Sequence, residues 1–181
     1  MGAHPQDEEA LLAAVARGYA QRDRADMAPT IAYFTELAAR FGDHPVALLE
    51  LAGAHDTAGN EETARGLYEQ ALDGGLEGDA LRRCLCQYAS TLRWLGEHDA
   101  SLEVLVEAAR LFPGSEAVRV FRALTLLDAG RPDEAVADLL GVVVEHADVT
   151  DLGRWAPGLG GVAAWLRQGR PDEDQTRNAD G

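Results

Sequence analysis

The chain has 181 residues, with 31 acids against 16 arginines, no lysine and a formal charge of −15. Its 46% apolar fraction is too high for a disordered chain, and its apolar runs are too short to span a bilayer. An acidic chain is repelled by phosphate backbones, so neither nucleic acid nor a membrane is expected as a partner.

The start, Met1-Gly2-Ala3-His4-Pro5-Gln6-Asp7-Glu8-Glu9, has no Arg- or Lys-bearing basic start and no unbroken apolar stretch, so no secretory leader is read and a cytoplasmic location is expected. Residues 8–21 and 29–41 then read as a helical pair, with Pro29 suited to a first turn. From residue 45 the chain repeats itself. Gly59, Gly96 and Gly130 recur at spacings of 37 and 34, and other residue classes keep the same offsets. Ala52, Ala89 and Ala123 precede the glycines. Ala64, Ser101 and Ala135 follow them, then bulky Tyr68, Leu105 and Leu139, then Ala71, Ala108 and Val142.

Each unit reads as two helices about a turn. The first helices are predicted at 45–58, 82–95 and 116–129, the second at 61–74, 98–111 and 133–146. The glycine stops the first helix, where only Gly takes a left-handed conformation without strain. Acids such as Glu61, Glu62, Asp133 and Glu134 open the second, where the macrodipole favours them. The string Asp73-Gly74-Gly75-Leu76-Glu77-Gly78-Asp79 is expected as a loop. Gly169-Arg170-Pro171-Asp172-Glu173 copies Gly130-Arg131-Pro132-Asp133-Glu134, which makes 155–168 the first helix of a further unit, read as a cap. The last residues, 169–181, carry no apolar stripe and are expected to be disordered.

This small–Gly–small–bulky–small spacing resembles the tetratricopeptide repeat. Strings such as Gln87-Tyr88-Ala89-Ser90-Thr91-Leu92-Arg93-Trp94-Leu95-Gly96 are also similar to those of a bacterial group of short single-domain repeat proteins of uncharacterised function. The usual first-helix aromatic is replaced by Leu48, Leu85 and Arg119. The implied fold is all-α, a superhelix of stacked antiparallel helix pairs with partial repeats at both ends. The divisions are a degenerate pair at 1–44, three repeats at 45–78, 82–115 and 116–149, a capping helix within 150–168, and the tail 169–181.

Catalytic constellations are not legible. His4, His44, His55, His98 and His146 are scattered, with none of the spacing a zinc hydrolase uses. There is no Gly-x-Ser-x-Gly elbow and no lysine for a phosphate-binding loop. Cys84 and Cys86 point about 200° apart on a helix, poorly placed for a disulfide or a shared metal. No enzyme activity, cofactor or metal is expected.

What remains is a surface. Between 82 and 122 lie six Arg and five acids, a net of +1, so the rest of the chain carries −16. The resemblance implies that the first helices line a ligand-binding groove, with Arg83, Cys86, Ser90, Arg93 and Trp94 facing it and Asp56 beside Arg93. Arg83, Arg93, Trp94, Ser90, Arg122 and Asp56 are therefore the candidate site. It is expected to take a peptide or protein segment presenting a carboxylate or acidic group, because the arginine fork matches a carboxylate. The competing reading pairs these arginines internally with Asp56, Glu50, Glu116 or Asp128. The chaperone-type clamp uses Lys and Asn on these helices, and neither occurs there. Val120, Phe121, Leu124 and Leu127 are expected to be covered by 155–168, or else to form a strip for a partner helix or self-association. An adaptor or scaffold is the expected function. The alternatives are a homo-oligomeric structural protein and an accessory or small-molecule sensor subunit for a neighbouring enzyme.

Overall fold

The computed structural model describes residues 5–146 and 153–168; the predicted tail and the join at 147–152 lie outside them. Every regular element among the described residues is helical, and within each of two units consecutive helices pack as antiparallel pairs. They group into two compact units, Met1–Glu97 and His98–Gly181. The division falls inside the second predicted repeat.

The first unit holds α1 (Pro5–Ala20), α2 (Ala28–Arg40), α3 (Pro45–Thr57), α4 (Glu61–Asp73) and α5 (Gly78–Trp94). Proline opens α2 and α3, where its missing N–H costs no bond, and His44 Nδ1 caps α3 by accepting from the Val46 N–H at 3.2 Å. Gly59 ends α3 at φ +77°, a conformation that would strain a side-chain-bearing residue. Glycine has a steric reason at Gly18, where a β-carbon would meet Phe34 Cζ at 2.6 Å. That closeness lets Tyr19, Tyr33 and Phe34 pack edge to face between α1 and α2. α5 lies against both α3 and α4, and Ala52, Ala64, Tyr68 and Ala71 beneath it are completely buried. Burying an aromatic of this size contributes on the order of 3 kcal/mol.

One expected boundary is corrected here. α5 begins at Gly78, four residues earlier than predicted, so Gly78 and Asp79 belong to the helix and not to the preceding loop. Leu76 is buried just before it, and Ala80 and Leu81 pack on the core, so tertiary contact pulls the helix start past the glycines. Asp79 occupies the first turn and accepts from Arg82 Nε at 3.2 Å.

The second unit holds α6 (His98–Leu111), α7 (Glu116–Asp128), α8 (Pro132–Glu145), a 3-10 turn (Gly153–Trp155) and α9 (Ala156–Arg167). Ser115 Oγ caps α7 by accepting from the Val118 N–H at 3.3 Å. Between α6 and α7 the buried hydroxyls of Ser101 and Thr125 bond at 3.0 Å. Gly130 ends α7 at φ +72°, the counterpart of Gly59.

The expected cap behaves differently from its prediction. α9 packs along α8, and among the described residues it has no comparable packing on α7. Arg167 Nη2 donates to the Ala137 carbonyl at 2.9 Å, anchoring the end of α9 near the start of α8. Leu124 and Leu127 on α7 consequently stay exposed, Leu127 at 55%, while Val120 and Phe121 are half-buried. Leu139, in the repeat place of the buried Tyr68 and Leu105, is 39% exposed for the same reason.

Candidate functional site

The polar groups of the first unit converge on the side formed by α1, α3 and α5. The sequence reason is visible in α3, where one acid, Glu50, interrupts the apolar run Val46-Ala47-Leu48-Leu49. Glu50 is only 4% exposed, and a buried carboxylate needs a partner. Arg83 supplies it from α5, with Nη2 donating to Glu50 Oε1 at 2.8 Å and to Tyr19 Oη at 3.0 Å. Burial, together with the hydrogen bond to Glu50, pushes the Tyr19 phenol up to about 12.

Two turns along α3 lies Asp56. Burial raises its carboxyl above the ordinary range, against the opposing influence of the Thr91 hydroxyl and the Arg22 and Arg93 charges. Thr91 Oγ1 donates to Asp56 Oδ1 at 3.0 Å. Arg22, beyond the end of α1, donates to Thr57 Oγ1. These groups surround a cavity of about 120 Å³ lined by Tyr19, Arg22, Arg24, Glu50, Gly53, Asp56 and Gln87, among others.

At the end of α5, Trp94 is 68% exposed. The Arg93 guanidinium lies over its ring, 4.7 Å from the centroid. Such stacking pre-orients a cation and an apolar plate together. Ser90, one turn earlier, is half-buried. Cys86 is buried, so it does not present itself on the face as the repeat register implied. Cys84 is also buried, and burial pushes its thiol up to about 12, a protonated and inert sulfur.

Of the sequence-derived candidates, Arg83, Ser90, Arg93, Trp94 and Asp56 lie in the first unit. Arg122 belongs to the second, where its fork bonds both Asp138 oxygens at 2.7 Å. Asp138 is buried, so this pair repeats the Glu50–Arg83 arrangement with different residues. The carboxylate partner of Arg122 is Asp138, where Asp128 had been among those expected. Arg119 is held by Glu145. Tyr19, Arg22, Gly53 and Gln87, which line the cavity, were not read from the sequence as site residues. Glu50 and Gln87 stand at the 37-residue repeat offset, a signal that marks both as polar groups in the same place on successive first helices.

No helix among the described residues is long and apolar enough to cross a membrane. A family model described as tetratrico peptide repeat matches residues 45–151, more than half of the chain. No curated protein matches the sequence.

Proposed function

The chain belongs to the tetratrico peptide repeat family, whose members are interaction modules for protein partners, and from this premise we propose that it is a non-catalytic cytoplasmic adaptor that holds a peptide or protein segment on its first helices. The observation that carries the reading is the exposed Trp94 with Arg93 stacked on it, at the end of the helix that also carries Arg83, held by Glu50 and Tyr19 ten residues earlier. Arg93 recognises a carboxylate or acidic side chain, and Trp94 covers an apolar neighbour. Ser90 and Asp56 border this contact. Arg83 and Arg122 act as positioning groups, because their forks engage Glu50 and Asp138.

The test is a tagged pull-down from the native host, run in parallel with Arg93→Glu. The variant loses the captured partner while its helical circular dichroism stays unchanged. Equal capture by both forms removes Arg93 from the site.

A second reading is self-association, favoured by the exposure of Leu124 and Leu127 on α7. Light scattering over a concentration series separates it from the adaptor, since a mass that rises with concentration requires an interface between copies. A sensor or accessory subunit would instead show a thermal shift with anionic metabolites.

A further inference from the structure

The α7–α8 hairpin lacks the helix that covers its predecessor. In the first unit α5 lies across α3 and α4. It meets α3 at Asp56, which accepts from Thr91 Oγ1, and at Gly53, where a β-carbon would stand 3.8 Å from Gln87 Nε2. It meets α4 at Tyr68, whose ring centroid lies 6.3 Å from that of Tyr88. Two repeat steps on, of 37 and 34 residues, the same three places hold Leu124, Leu127 and Leu139. All three are exposed. Val136 and Val143 flank Leu139 at steps of three and four and are exposed with it, Val136 at 46%. Apolar positions so spaced share one side of a helix. The hairpin therefore keeps a bare apolar slot where its predecessor holds a first helix.

α9 has the complementary shortage. By its register it is a first helix, the kind that fills such a slot, yet among the described residues it packs along α8 and not on α7. Trp155 at its start, and Val162 and Trp165 along it, stay exposed. Charge points to the occupant. The hairpin from Glu116 to Glu145 carries six acids against three arginines. Residues 153–168 carry Arg154 and Arg167 and no acid. The Arg154 guanidinium lies over the Trp155 ring, 4.7 Å from its centroid, so apolar surface and positive charge are offered together. The stretch 169–181 includes no Leu, Ile, Val, Met or aromatic residue, and such a segment has nothing to place in an apolar slot. A second copy brings a matching helix and a matching slot at once.

We propose that the second unit pairs with a second copy of itself, α9 of each copy seated on the α7–α8 slot of the other. Val162 and Trp165 cover the strip of Leu124, Leu127 and Leu139, and the basic α9 lies against the acidic hairpin. A helix of 12 residues is about 18 Å long and about 10 Å across. Two reciprocal contacts of that footprint bury on the order of 1,000 Å² in all, which is the size of a weak, concentration-dependent interface. The inference deepens the self-association reading and rests on it, adding which helix meets which face.

The test is sedimentation velocity on the full chain, from about 1 to about 500 µM, a range that spans weak interfaces. The expected result is a mass that moves from one copy to two, with a Kd of about 10–100 µM. Leu139→Arg alters the slot and Trp165→Glu alters α9. Both positions are exposed, so each variant keeps its helical circular dichroism. Each weakens the pair by about thirtyfold or more, because a charge is buried in both contacts. Mixed in equal amounts, the two variants pair with each other more tightly than either pairs with itself, since the mixed pair keeps one contact free of both substitutions. A single-copy mass over the whole range overturns the proposal together with the self-association reading. A pair that survives Trp165→Glu overturns the α9 contact and leaves self-association to another face. A mixture no tighter than its parts, or a mass that climbs past two copies, overturns the reciprocal arrangement.

Discussion

The hairpins α3–α4 and α7–α8 share a repeat register but differ in what covers them. In the first, α5 lies across both helices, and Tyr68 is completely buried. In the second, α9 follows α8 alone among the described residues, and Leu139, in the same repeat place, is 39% exposed. A repeat residue is thus made a core residue by the next helix and not by its own hairpin. In such arrays the stabilising surface is the one between neighbours. A unit whose successor packs askew keeps its fold signature and loses part of its core.

Substitutions can break this contrast. The largest effect belongs to Ala64→Arg, which forces a charged side chain into a fully buried contact beneath α5; cooperative unfolding of the first unit is expected, and a melting temperature that holds would mean the register is misplaced. Next comes the paired test of Tyr68→Ala against Leu139→Ala. The first is expected to cost about 3–5 kcal/mol through its cavity, the second less than about 1 kcal/mol at an open site. Equal costs by chemical denaturation would abolish the distinction drawn above.

The smallest effect is pH-dependent. The Asp56 carboxyl is raised in the folded protein, first by burial. Its folded state therefore holds the proton more tightly than the unfolded chain does. The stability this confers is complete below the unfolded value of about 3.9 and is lost as pH rises through the folded one. Asp56→Asn, neutral throughout, should melt higher than the wild type at neutral pH. The gain should vanish in acid, near pH ~3, where the native carboxyl is protonated as well. A gain that persists unchanged in acid would show that the Asp56 charge is not its source.

The helical order was readable because punctuation and period agreed. Gly59, Gly96 and Gly130 all take positive φ at helix ends, and each second helix begins within one residue of its prediction. The start of α5 was not readable, because Gly74, Gly75 and Gly78 mark a loop locally while buried Leu76 and the packing of Leu81 extend the helix. Of the site, Arg83, Arg93 and Asp56 were legible as charged positions on first helices. Their engagements were legible only as a set of acids, Asp56, Glu50, Glu116 or Asp128, with no arginine matched to its own partner. Whether Arg83 meets Glu50 across 33 residues depends on the rotation of α5 about its axis, which periodicity does not specify. Tyr68 looked like a packing residue, and its ring is one.

The hydroxyl pair of Ser101 and Thr125 bears on how such a chain can be rearranged. Where the preceding repeat has Ala64, this one has Ser101, and its bond to Thr125 is sealed from water. A graft of α4 in place of α6 would set a methyl group opposite Thr125 and remove the Ser101 bond, at a cost of about 1–3 kcal/mol for a stranded polar group. Thr125 retains the Phe121 carbonyl at 3.2 Å, so the loss falls at the lower end. The hairpins are therefore not interchangeable bricks: each carries an address, written in one oxygen atom, that tells it which helix to follow.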